Sequence, residues 1–394
     1  MTTDIFSLHE YSSFDSAYWG MGIASDGAVY FGLCSHMPGK SAGLFRYDKA
    51  ISRVEPIANI STTLGNMHGK IHTPIIEGKD AKMYFGTHFA YPYGDPSQEV
   101  DYEGGHLLAY DPKDGSVEDF GIAHEGEGLL TLALDKQRHI AYMLTVPSSL
   151  LIACDLQAKE YRQIGKIPSK GSVCRTIAVD KRGVVYGSFE DNGLFLYDPH
   201  ADSLVLKEHF FPSEEVVEWN DKTRGGVNKI GRNVWRCVAY DEKRDSLYGI
   251  YAASSRCFSI DCRTLTVRFY DPLLPKKYGS ADKVYPTLSM SDDENNILYV
   301  PADGMFDYCR SNNLNSMSHL MRFNKKTGDT EDAGYITDGS RMLYGVAGAA
   351  SRGGDIYLLG AVTTDEQRSA LSAEDRLFFI KNKPFDLAFI KITL

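Results

Sequence analysis

The chain lacks several things that would have named a function quickly. It has no CxxC pair and no apolar run long enough to cross a membrane. Its start, MTTDIFSLHEY, has neither the basic head nor the apolar stretch of a secretory leader. As written the chain reads as cytoplasmic; with a leader removed it would be secreted. Basic residues are not in excess: 42 Lys and Arg stand against 52 Asp and Glu, a formal net charge of -10. That argues against a nucleic-acid backbone as partner, which wants a basic face. It leaves room for an anionic ligand in a local cationic pocket. No Gly-rich phosphate loop follows a strand and opens a helix, and no GxSxG elbow is present. The pairs Asp292–Asp293 and Glu214–Glu215 read as solvated turn and loop charges, not as a glycosidase pair. The 7 cysteines are odd in number and lie mostly in apolar, strand-like runs, as buried free thiols do.

What the chain does have is Tyr, Phe and Gly in quantity, and a repeat. At roughly propeller-blade spacing, about 50 residues, one phrase recurs. An apolar strand leads to a polar turn often carrying Asp, then a strand with Tyr, a loop, and a strand ending near Tyr-Asp. MGIASDGAVYFGLC with GLFRYDKA is the first copy, and CRTIAVDKRGVVYGSFE with GLFLYDPHADS the fourth. Seven such copies can be counted, the last ending in FDLAFIKITL. A further strand usually follows, as around 117–120 and 204–207. Four-stranded units repeated seven times predict an all-β, seven-bladed β-propeller of antiparallel blades. The last copy runs out of chain after its third strand, so the segment 4–11 is expected to supply the fourth and close the ring. With no linker or low-complexity segment, residues 1–394 are read as one domain. The recurring strand tyrosines (Tyr30, Tyr84, Tyr142, Tyr186, Tyr248, Tyr299, Tyr357) read as packing.

Loop lengths point to one face. The a-to-b and c-to-d turns are short (ASDGA, VDKRG, DPKDG), whereas the insertions 89–105, 304–318, 362–384 and 210–232 all fall on the opposite face. Long loops in a compact domain are usually functional. Part of the third, 364–376, is rich in helix formers. On that face, alternation along the innermost strands predicts a ring of Trp19, His72, Arg175, Arg236, Tyr285 and Tyr344 around the channel mouth. Arginine is rarely buried without an anionic partner, so Arg175 and Arg236 suggest a carboxylate or sulfate ligand.

His88, at the end of a strand b, and His106, at the start of the next strand, are expected to meet His72 there. They flank a loop with Tyr91, Tyr93 and Tyr102. His68-x3-His72 has helical metal spacing, but the segment reads as a loop entering a strand and is weak evidence for a metal. A site on His72, His88 and His106 stays open, since clustered histidines suit zinc or manganese.

The run GKIHTPIIEGKDAKMYFGTH with GGHLLAYDP resembles the seven-bladed β-propeller polysaccharide lyases: the ulvan lyases and the L-rhamnose-α-1,4-D-glucuronate lyases acting on gum arabic side chains. The resemblance implies β-elimination next to a 4-linked uronic acid by His and Tyr, with Arg nearby. It makes His88 and His106 the proton-transfer residues, with Arg236 and Tyr285 carried over beside them by blade position. Arg would neutralise the uronate carboxylate and so stabilise the developing enolate; a histidine near neutral pKa can take the proton. His72, Arg175 and Tyr344 would bind substrate, with Trp19, Tyr91 and Tyr102 stacking on sugars. The expected partner is a uronic-acid-containing poly- or oligosaccharide, met by a monomer without membrane or nucleic acid. No cofactor is required, though structural calcium or a His-bound metal is compatible. Two other readings remain: a propeller that binds a glycan or partner without catalysis, and a metal-dependent hydrolase or lactonase. The latter would want Asp, Glu and Asn at the strand starts.

Overall fold

A computed structural model describes residues 1–91, 101–169, 174–212, 234–251, 256–272, 289–300, 319–364, 366–367 and 386–394, without the side chains of 271, 272, 344 and 345. Their strands form seven antiparallel sheets, six of them following the chain strand by strand. The first blade is Ser16–Ile23, Val29–Cys34, Gly43–Asp48 and Arg53–Asn59. The second has a broken inner strand, Lys70–Ile71 and Ile76–Glu77, followed by Met83–His88, His106–Tyr110 and Val117–Ile122. The inner strands of the third to seventh blades are Gly128–Asp135, Ala178–Val179, Trp235–Asp241, Met290–Asp293 and Met342–Arg352. Each inner strand packs near the next blade, and the seventh packs on the first. The seven-bladed propeller expected from the repeat is therefore what the chain forms. Thr2–Ser7 pairs antiparallel with Asp386–Thr393 as the outermost strand of the seventh sheet. One short helix, Ile60–Leu64, joins the first two blades, its N-terminus capped by the Asn59 side chain.

The core lies between the sheets. All seven recurring tyrosines are buried, from Tyr30 at 0% exposure to Tyr248 at 6%, and so pack as the repeat predicts. The six described cysteines are free and buried. On the face away from the long loops, the a-to-b turn acids tie neighbouring blades together. Glu77 accepts from Ser25 N and Oγ. Lys325, its side chain 0% exposed, reaches Asp241 of the fifth blade at 2.9 Å and Asp292 at 2.6 Å. Blade contact at the inner strands is close: a Cβ on Gly22 would fall 1.7 Å from the Ile75 carbonyl oxygen.

The loops 304–318, most of 89–105, 210–232 and 362–384, and the helix expected over 364–376, lie largely outside the described residues. So do Tyr93, Tyr285 and the Tyr344 side chain. No helix among the described residues is long and apolar enough to cross a membrane.

Candidate functional site

The second blade departs from the repeat where His72, Thr73 and Pro74 interrupt its inner strand. Pro74 has no N–H to give a ladder. The Thr73 hydroxyl steps in, accepting from Gly86 N at 2.7 Å. The broken strand is pinned by the pairs Lys70–His88 and Ile71–Thr87. Neighbours on a strand point to opposite faces, so Thr87 and His88 face different blades. This parity divides the histidines into two pairs.

His72 and His88 face the third blade, with ring centroids 5.3 Å apart. His72 Nδ1 lies 3.1 Å from the Leu130 carbonyl and His88 Nδ1 lies 2.8 Å from the Phe89 carbonyl. A carbonyl only accepts, so both Nδ1 atoms carry the proton and both Nε2 atoms keep a lone pair. Burial, then the neighbouring His88, Arg175 and Lys70, hold His72 well below its usual pKa. Burial and the Lys70 and Arg175 charges press His88 down to about 3. Lys70 is itself lowered, by burial first and by Arg175 among its charged neighbours. Its ammonium sits 4.5 Å above the ring of Tyr18, whose centroid is 5.0 Å from that of His72. Among the described residues Lys70 forms no ion pair. The cluster thus holds two cations beside two neutral imidazoles. Gly128 makes room for it: a Cβ there would lie 2.7 Å from His88 Cδ2.

His106 does not join this pair, contrary to the expected three-histidine cluster. It stands opposite Thr87, on the face toward the first blade, and its ring meets His68 at 5.1 Å. The physical reason is the ladder register, which sets Gly86 against Leu107. His106 Nδ1 is 2.9 Å from Asp119 Oδ1, and Thr87 Oγ1 takes His106 N at 2.9 Å and His68 Nδ1 at 3.2 Å. Burial opposes ionisation of Asp119, but the bonds from His106 and Gly121 outweigh it and hold its pKa below the usual carboxylate range. Burial and His106 lower His68 to about 4. A metal on His72, His88 and His106 together is therefore not what the geometry offers. The two pairs are joined by rings: His88 to Phe89 at 4.5 Å, Phe89 to Tyr102 at 5.3 Å, and Tyr102 to His68 at 5.5 Å. Tyr91 packs edge-on against Phe89.

Of the predicted ring, Arg236 and Trp19 meet directly, although they come from the fifth and first blades. The guanidinium carbon lies 5.4 Å from the indole centroid. Arg236 Nε is buried and without a hydrogen-bond partner. Arg175 joins the His72–His88 cluster. Sequence reasoning missed Lys70, Tyr18, Glu103 and Asp119, and set His68 aside. Lys70 could have been found: it pairs with His88 as soon as the inner strand is extended past His72. A second acidic group, Asp180, Asp245 and Cys262, already has Arg182 and Arg263 on its carboxylates.

No protein-family model and no curated protein sequence matches the chain. Solved structures do. A chain of the mitotic checkpoint complex aligns over 99% of this chain and 91% of its own, at 10% identity and a TM-score of 0.55. U3-55K aligns over 99% and 98%, at 9% identity and a TM-score of 0.59. At such identities the likeness is one of fold, the seven-bladed propeller.

Proposed function

We propose that the protein is a polysaccharide lyase that cleaves next to a 4-linked uronic acid, at a rhamnose–glucuronate linkage, by β-elimination. One observation carries this reading: two buried imidazoles are kept neutral beside the cations Lys70 and Arg175. A carboxylate seated there would meet the Lys70 ammonium, which forms no ion pair among the described residues, and charge-assisted bonds of that kind are strong. Neutralising the uronate carboxylate makes the α-proton removable, because the enolate charge then develops against fixed cations.

His88 is the base in this scheme. Its Nδ1–H is held by the Phe89 carbonyl, which leaves the Nε2 lone pair as the proton acceptor, and a uronate carboxylate seated against Lys70 and Arg175 would offset the charges that lower its basicity. A neutral imidazole has no second proton to give to the leaving oxygen, so a phenol suits that role. Tyr18, in ring contact with His72 and under the Lys70 ammonium, is the donor. His106 was expected to share proton transfer with His88, but its Nε2 is buried on the opposite face, and the reading gives it no such part. Arg236, beside Trp19, binds a further acidic group of the polymer; Tyr91 packs on Phe89, and Tyr102, buried between Phe89 and His68, is given no sugar-stacking part.

Incubation with ulvan and gum arabic in oxygen-18 water tests the reaction class. Elimination leaves one product, the unsaturated uronide, lighter by one water than its hydrolysis counterpart, and takes no oxygen from the water at the bond that is cut. Labelled products would make the protein a hydrolase. A thermal shift with a polymer but no product would leave a binding propeller.

A further inference from the structure

The first-blade face of the second blade carries groups the lyase reading does not use. His68 has a side-chain exposure of 0% and His106 of 10%. Their rings stand at 87° to one another. The Nε2 of each is buried with no hydrogen-bond partner. A buried polar atom left so costs about 1–3 kcal/mol, and two converging in one place call for a ligand. Glu103 Oε1 is 3.5 Å from His68 Nε2 and 3.6 Å from His106 Nε2. Both separations exceed an ordinary N–H···O bond. They are close to the edge of a zinc tetrahedron, whose bonds of about 2.0–2.1 Å set neighbouring ligand atoms about 3.3–3.4 Å apart.

We infer that His68, Glu103 and His106 form a binding site for a divalent transition-metal cation, zinc foremost, with the fourth position open to water. Two imidazoles and one carboxylate suit zinc and its first-row neighbours; calcium and magnesium prefer oxygen throughout. The supports for such a site are in place. Asp119 on His106 Nδ1 and Thr87 on His68 Nδ1 leave each Nε2 as the donor atom, and such partners fix ring orientation. Glu103, 60% exposed, gives the cation a way in from solvent. Its position just before the strand His106–Tyr110 means that a bound cation would clamp the end of the 89–105 connection to the blade.

This inference does not rest on the lyase reading. The test uses the full chain, stripped with chelator and titrated with zinc chloride or cobalt chloride. One equivalent of zinc per chain is expected, with a cobalt spectrum in the visible range of tetrahedral intensity. Glu103→Ala, whose side chain is exposed enough to spare the fold, weakens zinc binding at least 10-fold, and Asp119→Asn weakens it about 10- to 100-fold. His88→Ala leaves it unchanged. Less than half an equivalent of zinc, or binding unaffected by Glu103→Ala and by His68→Gln, overturns the site. Metal content and elimination are read separately, so either can fail alone.

Discussion

Arg236 and Trp19, from the fifth and first blades, meet with the guanidinium carbon 5.4 Å from the indole centroid. Blades that are not neighbours touch only across the channel, so this contact places both residues at the axis of the ring. The stacking stabilises by about 0.5–2 kcal/mol and holds the arginine where its Nε lacks a hydrogen-bond partner.

An acidic sugar is the partner assigned to that arginine. Arg236→Ala is expected to lower kcat/KM on a uronate polymer by about 10- to 100-fold, the worth of one charged hydrogen bond. Arg236→Lys restores little, because an ammonium cannot offer the planar fork. Steady-state kinetics with unchanged kcat/KM in Arg236→Ala would remove it from the site.

Gly128→Ala reaches His88 without touching its chemistry. The new methyl would stand 2.7 Å from Cδ2 and 2.8 Å from Cγ of the ring, so the ring must move. A displacement near 1 Å costs a positioned catalytic group about 100-fold in rate, with a stability loss of about 1–3 kcal/mol from overpacking. Turnover and thermal unfolding measured together check it. Full activity would mean that the ring position does not matter.

The same histidines give the fold a pH dependence of known sign. Burial and the Lys70 and Arg175 charges push His88 down to about 3 in the folded chain, against about 6.5 for a free imidazole, and His72 is lowered too. Below pH 6.5 the unfolded chain binds protons that the folded one refuses. Stability is full above that pH and falls as pH drops toward 3, by up to about 1.4 kcal/mol per pH unit for each histidine. His88→Gln should flatten this slope in urea unfolding at pH 7, 6 and 5; an identical slope would contradict it.

How much of this was legible in the sequence follows from what each feature depends on. The blades were legible because Tyr84 and its six counterparts pack the same way in every copy. The ring at the mouth was legible in part: alternation places Trp19 and Arg236 correctly. The split of the histidines was not, because it depends on two things a repeat does not print. One is the break at His72–Pro74. The other is the register that sets His106 opposite Thr87 instead of His88. His68 was set aside because it was weighed against His72, its neighbour in sequence; its partner, His106, comes from another strand.

Lys325 separates stability from function. Its buried ammonium bridges Asp241 and Asp292 between the fifth and sixth blades, away from the histidine face. Lys325→Met leaves the buried Asp241 and the half-buried Asp292 without it, and breaking a buried pair typically costs about 3–5 kcal/mol. Urea midpoints should fall accordingly while activity at low temperature persists. A loss under about 1 kcal/mol would mean that Arg244, already on Asp241, carries the joint.

Elimination by a neutral His88 beside Lys70 and Arg175 has an optical signature. Ultraviolet absorbance during incubation with ulvan, gum arabic and other uronate polymers tests it most directly, wild type and His88→Ala side by side. Elimination leaves a C4–C5 double bond conjugated to the carboxylate, which absorbs; hydrolysis leaves none. A rise is expected with at least one polymer for the wild type, and a rate about 100- to 10,000-fold lower for His88→Ala. No rise with any polymer, or equal rates for the two proteins, would contradict it.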